Sequence, residues 1–172
     1  MDFFKNEKNR IKFYYQKLLL GLLLFLYFIV LQSNVSTHKV IFGKGLDSIP
    51  LPLINPILLF GIIILTAYLN NKLFFIKEQG EKIFILRKYD IIPLTKKDMY
   101  IAKFKIIISY IISFILMSIV LYIITMLINS YKEISILKNI LEIFFVLIFS
   151  IFTLIIFFVL NLIQDIKSKK KS

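Results

Sequence analysis

Four long runs of apolar residues dominate the chain, and shorter polar stretches separate them. The runs cover Tyr15–Leu31, Pro50–Leu69, Lys105–Ile128 and Ile140–Ile163. A bilayer core about 30 Å thick needs roughly 20 predominantly apolar residues per helix, and each run is close to that length. The pattern therefore predicts an all-α, polytopic membrane protein with four transmembrane helices, in which residues 1–172 form a single transmembrane domain.

The remaining stretches complete this layout. Residues 1–14 interleave Phe and Ile with basic residues, which favours a segment lying along the membrane surface. Residues 32–49 read as a short loop, and residues 164–172 as a basic tail. Because no clear small-x-small cleavage site follows the first run, we expect an uncleaved helix there and not a signal peptide. Pro56 lies inside the second run, where it should kink the helix or delay its start.

Positive charge is distributed unevenly along the chain. The 22 Lys and Arg residues outnumber the 10 Asp and Glu residues, and 18 of the 22 lie in residues 1–17, 70–105 and 164–172. The positive-inside rule then predicts that both termini and the segment 70–104 are cytoplasmic. With 59% apolar residues and a mean hydropathy of +0.84, the charge indicates attraction to anionic lipid. We expect a multi-pass protein of a bacterial plasma membrane. Its partner would be the lipid bilayer, and we expect it to bind no nucleic acid.

The sequence offers little for catalysis or for binding a cofactor or metal ion. It contains no cysteine, and its lone histidine, His38, falls in a predicted outer loop. The sequence Gly43-Lys44-Gly45 lacks the helix signature of a phosphate-binding loop. The interiors of the four predicted spans contain no ionisable residue that must sit at the bilayer midplane, and Glu142 lies near the outer end of its span. This argues against an ion-coupled carrier, which needs ionisable groups there. We expect neither an enzyme nor a cofactor.

The segment 70–104 is the largest polar surface available to a soluble partner. In its first half, Lys72–Lys88, apolar residues alternate with charged ones, which suits an amphipathic helix at the membrane–cytosol boundary. On such a helix Lys77 and Glu81 are four residues apart and would form a surface ion pair. The alternative is an ordinary solvated connector.

The second half of this segment predicts a break followed by a new helix. Pro93 disfavours helix at the residue before it. Thr95 can cap the next helix, with Asp98 three residues later as the partner in a capping box. That helix would run through Met99 and Tyr100 into the third span.

Several residues of this segment occur in an order known from one transporter family. Glu78-Gln79-Gly80 precedes the apolar stretch Ile83–Leu86; Pro93-Leu94-Thr95-Lys96-Lys97 follows, and Lys103 lies ten residues after Pro93. This order resembles the cytoplasmic segment between the second and third spans of ABC-2-type transporter permease subunits, here in a short, four-span variant.

The resemblance implies a function and a set of contacts. The segment would act as a coupling helix that docks on a separate ATP-binding cassette ATPase subunit, and the partner would hydrolyse the ATP. The residues implied to contact the ATPase are Lys77, Glu78, Gly80, Glu81, Lys82 and Phe84. The implied structural motif before the third span consists of Pro93, Thr95, Lys96, Lys97 and Lys103. A second membrane subunit or a homo-oligomer would complete the export path.

Three functional hypotheses follow. The first is a permease subunit of an ABC-2-like exporter that moves an amphipathic or hydrophobic cargo such as a peptide or lipid. The alternative is a non-transporting four-helix membrane immunity or accessory protein that protects against membrane-active peptides. A third is a scaffold or sensor that captures a cytosolic or lipid partner through its basic segments.

Overall fold

The computed structural model describes Glu7 and residues 13–43, 51–78, 80–86, 95–130 and 135–169. It contains four long helices, α1 (Phe13–Gly43), α2 (Pro56–Phe74), α3 (Lys96–Ile128) and α4 (Ile136–Lys169). A short hairpin of β1 (Phe75–Glu78) and β2 (Glu81–Phe84) follows α2. Each helix is long and apolar enough to cross a bilayer, which confirms the predicted four-span, all-α architecture.

Helix α2 is the centre of the bundle. It packs against α1, α3 and α4, and α1 also packs against α3. Half of the most apolar stretch of α2 is buried, against 17% of the corresponding stretch of α4. Because so little of α4 is covered, large apolar side chains such as Phe144 and Phe152 are exposed on its outer surface. A bilayer would solvate that surface.

Glu7, the hairpin, the start of α3 and the end of α4 share one end of the bundle. Contacts among Glu7, Lys103, Lys96 and Asp165 join them there. We call this the hairpin end. The described parts of the segments that the charge distribution predicts to be cytoplasmic thus lie together, and their orientation in the membrane is a prediction.

The prediction of an amphipathic helix over Lys72–Lys88 is wrong. Helix α2 continues to Phe74, and residues 75–84 form an antiparallel hairpin. The physical reason is a sequence palindrome, FIKE-QG-EKIF, which places two aromatic residues and two β-branched residues opposite each other in an antiparallel register. At its centre Gly80 adopts a φ of +86°, a backbone conformation that glycine adopts without steric cost and that tight hairpin turns require.

The helix predicted after the break is confirmed. Helix α3 begins after Thr95, whose Oγ1 accepts a hydrogen bond from the amide of Asp98 at 3.2 Å. The Thr95 hydroxyl also donates to the Asp98 carboxylate. The helix then runs without interruption through Met99 and Tyr100 to Ile128. Pro93, which should cause the preceding break, lies outside the described residues.

The first span is longer than predicted. Helix α1 continues through residues expected to form a loop, so the partly buried His38 lies on a helix. The polar residues of this extension satisfy their hydrogen bonds locally: the hydroxyls of Ser36 and Thr37 donate to carbonyls one turn earlier. Lys39 also reaches across to the Asn129 side chain at the end of α3, at 3.2 Å.

The second span starts later than predicted, at Pro56 and not at Pro50, which is the delayed start that Pro56 was expected to cause. Asn55 is the N-cap, and its Oδ1 accepts from the Leu58 amide at 3.0 Å. Proline at the first helical position costs nothing because that amide has no partner within the helix.

Residues 51–55 form a non-helical segment before α2, which we call the strap. It lies at the end of the bundle opposite the hairpin, with the side chains of Leu51 and Leu53 buried. The Tyr27 hydroxyl donates to the Leu53 carbonyl at 2.8 Å, and the Tyr122 hydroxyl donates to the Leu51 carbonyl at 2.9 Å. Non-helical backbone is tolerated among apolar helices when protein groups satisfy its hydrogen bonds.

The carboxylate of Glu142 binds two backbone amides of the strap. Its Oε2 accepts from the amides of Leu53 at 2.6 Å and Ile54 at 3.0 Å. Lys138, one turn earlier on α4, lies 4.0 Å from the other carboxylate oxygen. Glu142 therefore fixes the strap to α4, while Tyr27 and Tyr122 fix it to α1 and α3.

The close approach of α2 and α3 generates a first prediction. A Cβ atom at Gly61 would lie 2.7 and 2.8 Å from ring atoms of the buried Phe114. We expect Gly61→Val to lower the free energy of unfolding by about 1–3 kcal/mol, because the ring must leave its packed position. Thermal unfolding in detergent micelles measures this. The matched control is Gly21→Val, where no atom lies within 4 Å, and equal effects of the two changes would contradict the packing.

The strap generates a second prediction. Because the chain lacks cysteine, Leu53→Cys introduces a single thiol at a buried position. We expect adding Glu142→Leu to raise the maleimide labelling rate of that thiol by about tenfold or more, since each unpaired amide costs about 1–3 kcal/mol. Glu142→Gln retains an acceptor oxygen and should have a much smaller effect. Identical labelling rates for Leu53→Cys with and without Glu142→Leu would show that the carboxylate does not hold the strap.

Candidate partner-docking site

The hairpin pairs each residue with an identical one across the two strands. The register aligns Phe75 with Phe84, Ile76 with Ile83, Lys77 with Lys82 and Glu78 with Glu81. The aromatic and β-branched pairs next to α2 favour the hairpin, whereas identical charges directly opposite each other disfavour it. The two strands are paired along their whole length, and the favourable side-chain pairs lie at the base of the hairpin.

A cluster of aromatic rings holds the base of the hairpin on the bundle. The Phe84 ring stacks on Phe74 at a centroid distance of 6.0 Å, and Phe75 meets Phe84 edge-on at 5.5 Å. The cluster continues into α3 and α4. Its members, which we call the base cluster, are Phe74, Phe75, Phe84, Tyr100, Phe104 and Phe158. An isolated two-stranded hairpin is marginally stable in water, so the cluster is what keeps it folded.

Lys103 joins this base to α3 and is completely buried. Its Nζ lies 2.7 Å from the Glu7 carboxylate and donates to the Leu73 carbonyl at 2.8 Å. The same ammonium lies 5.6 Å from the centre of the Phe74 ring. A buried charge needs a counter-charge and hydrogen bonds together, and Lys103 has both. Glu7, the end of α2 and the start of α3 therefore meet at the Lys103 ammonium group.

The tip of the hairpin is where a partner could make contact. Lys77 and Lys82 are exposed, as is Gly80 at the turn, while Glu78 is partly buried. The Lys82 ammonium lies 4.4 Å from the centre of the Phe75 ring, a cation–π contact. The tip thus presents two lysines from a fixed base.

The sequence-predicted contact residues divide into two groups. Lys77, Glu78, Gly80 and Lys82 lie together at the tip, and Glu81 joins them by its register. Phe84, at the end of β2, is buried in the base cluster. Its ring supports the exposed tip of the hairpin and is not part of that surface.

The motif before the third span is also divided. Thr95 caps α3, Lys96 pairs with Asp165 of α4 at 3.3 Å, and Lys97 is exposed. Lys103 lies two turns further along the helix, buried beneath the hairpin. Lys96 and Lys103 thus fasten α3 to its neighbours, whereas Thr95 and Lys97 are exposed.

Sequence reasoning missed the base cluster and the role of Glu7. The palindrome was the available signal for the hairpin, because mirror symmetry about a glycine brings like residues together in an antiparallel register. Nothing in the local sequence around Glu7 indicates a partner 96 residues away.

The buried ion pair generates a third prediction. Removing one partner leaves an uncompensated charge, so we expect Glu7→Leu and Lys103→Met each to lower the free energy of unfolding by about 3–5 kcal/mol. The double variant should lose much less than the sum, because two apolar side chains can pack where the ion pair was. Chemical unfolding in micelles measures all four corners of this double-mutant cycle.

The partly exposed pair Lys96–Asp165 is the control for that cycle. Its side chains are 34% and 15% exposed, so its coupling should be below about 1 kcal/mol. Coupling of equal size in both pairs would contradict the special role of Lys103.

Comparison with known proteins gives no relative for this site. The sequence matches no protein-family model, and neither curated proteins nor solved structures yielded a match. The function is therefore argued from the four-span bundle and the geometry of the hairpin alone.

Proposed function

We propose that this four-span membrane protein is the permease subunit of an ABC-2-like exporter and that its hairpin receives the motion of a separate ATP-binding cassette ATPase. The observation that carries the proposal is the Lys103 anchor. One ammonium binds the Leu73 carbonyl at the end of α2 from a position near the start of α3. A force applied to the hairpin would reach the end of α2 directly, and it would reach α3 through the hydrogen bond between Lys103 and Leu73.

The direction of force transmission follows from the packing. Helix α2 contacts all three other helices, and the hairpin continues α2 directly at Phe75. The base cluster adds α4 through Phe158, whose ring lies 5.7 Å from those of Tyr100 and Phe104. Movement of the hairpin would therefore displace the centre of the bundle, which is what coupling of ATP hydrolysis to transport requires.

A groove on the surface of the spans supports the proposed cargo class. A groove between α1 and α3 has a volume of about 530 Å³ and only apolar lining residues: Leu24, Phe25, Phe28, Leu116, Met117, Val120 and Leu121. Such a groove accommodates acyl chains or apolar side chains, because burying apolar surface is what it offers. This supports an amphipathic or hydrophobic cargo, a peptide or a lipid. A second membrane subunit or a second copy of the chain would complete the path.

The turn residue Gly80 provides the test of coupling. Its φ of +86° is strained for any β-branched residue, although nothing lies within 4 Å of the position. We expect Gly80→Val to distort the tip and to lower ATP hydrolysis stimulated by the chain by about tenfold, a loss near 1.4 kcal/mol in coupling. The measurement uses the purified ATPase subunit with the full chain in lipid nanodiscs.

Gly43→Val is the matched control, because that glycine also has open space around it and lies at the far end of α1. It should leave stimulation unchanged. If the chain neither binds nor stimulates an ATPase, and if its expression alone protects cells against a membrane-active peptide, the non-transporting immunity function replaces the proposal.

A further inference from the structure

A second groove lies between α2 and α4, at the strap end of the bundle, and its volume is about 470 Å³. Asn55 lines it together with six apolar residues, Ile54, Pro56, Leu59, Phe60, Ile63 and Phe149. Phe149 is the α4 wall of the groove, and its ring stacks on that of Phe145 at a centroid distance of 6.5 Å. The lining of this groove is therefore apolar apart from one amide side chain.

The amide side chain of Asn55 has a hydrogen-bond donor that the described residues leave unused. Its Oδ1 accepts from the Leu58 amide at 3.0 Å as the cap of α2, which fixes which end of the side chain is the oxygen. Its Nδ2 has no acceptor among the described residues, although Asn55 is only 3% exposed. Buried side-chain donors in folded proteins nearly always have a partner, so this one is suited to an acceptor that a ligand supplies.

The position of Asn55 along the bundle matches the depth of lipid ester groups. Helix α2 has 19 residues, so at a rise of 1.5 Å per residue it spans about 28 Å, close to the roughly 30 Å of a bilayer core. Its N-cap then lies at the boundary between the hydrocarbon core and the head groups, where the ester carbonyls of glycerophospholipids lie. Leu59 and Ile63 follow Asn55 at intervals of four residues, so they continue along the same face of α2 towards the bilayer centre.

We propose that this groove binds one acyl chain of a bilayer glycerophospholipid and that the ester carbonyl of this chain accepts a hydrogen bond from Asn55 Nδ2. The site goes beyond the exporter function and does not depend on it. A water molecule fits less well, because a buried water usually needs two to four polar partners and the other lining side chains are apolar. The carbonyl reaches the covered Nδ2 once neighbouring side chains shift, and Phe60 and Ile63, which are 60% and 38% exposed, have room to do so.

Two lipids that differ only in the carbonyl test the hydrogen bond. Diester phosphatidylcholine and its diether analogue, with the same chains and head group, are titrated against the full chain in detergent micelles, and bound lipid is measured by native mass spectrometry. We expect the wild type to bind the diester about tenfold more tightly, because the diether leaves the buried donor unpaired. Asn55→Asp at pH 8 keeps an oxygen for the helix cap and loses the donor, so it should bind both lipids equally. The ratio of the two affinities cancels any effect of the new charge on the head group.

A second pair of variants, which leaves the helix cap untouched, tests the acyl-chain groove. Ile63→Trp places a large ring in the groove and should weaken binding of the diester by about tenfold or more, because the acyl chain loses the apolar surface that it would bury. The matched control is Ile64→Trp. Ile64 is the next residue of α2, is 46% exposed and does not line the groove, so this variant should bind like the wild type.

Three results would overturn the lipid site. Equal affinities of the wild type for the diester and the diether would show that Asn55 does not bind the carbonyl. A preference for the diester that persists in Asn55→Asp would show that the carbonyl binds elsewhere. Equal lipid binding by Ile63→Trp and Ile64→Trp would show that the acyl chain lies outside the groove. None of these results bears on the exporter function, which the stimulation of ATP hydrolysis tests separately.

Discussion

The burial of one ammonium group, that of Lys103, is the constraint around which the hairpin end of the protein is organised. A charge with no solvent exposure must find a carboxylate and further acceptors, or the helix that carries it does not stay in place. Glu7 supplies the carboxylate and the Leu73 carbonyl supplies the acceptor. Because the acceptor lies at the end of α2, the buried ammonium joins α3 to the point where α2 stops and the strands begin. The hairpin is thus positioned by a requirement of α3.

The opposite end of the bundle meets a related requirement with neutral and anionic groups. There the strap has extended backbone whose own carbonyls and amides need partners. Two tyrosine hydroxyls and the Glu142 carboxylate provide them. These partners come from α1, α3 and α4, so the strap ties together the three helices that surround α2. At each end of the bundle the helices are therefore joined through a non-helical segment, the strap before α2 and the hairpin after it.

Hydropathy was sufficient to predict the four spans, because the length and apolarity of a membrane helix are properties of consecutive residues. Local rules also predicted the Thr95 cap and the delayed start at Pro56, since each depends on a few neighbouring backbone groups. The hairpin escaped prediction because its charged and apolar residues were assigned a helical period, although the palindrome around Gly80 favours strands. The Glu7–Lys103 contact depends on pairing across 96 residues, which no local pattern encodes.

The long-range contacts near the hairpin end bear on how the bundle can move. Asn70, one turn before Phe74, exchanges two hydrogen bonds with Asn161 of α4, at 3.2 and 2.6 Å. Buried amides that pair in this way fix the relative height of two helices, because sliding by one residue would leave both unpaired. The end of α2 is thereby bound to α3 through Lys103 and to α4 through Asn161. A force on the hairpin would then tilt these three helices together, with bending resisted where the polar bonds lie.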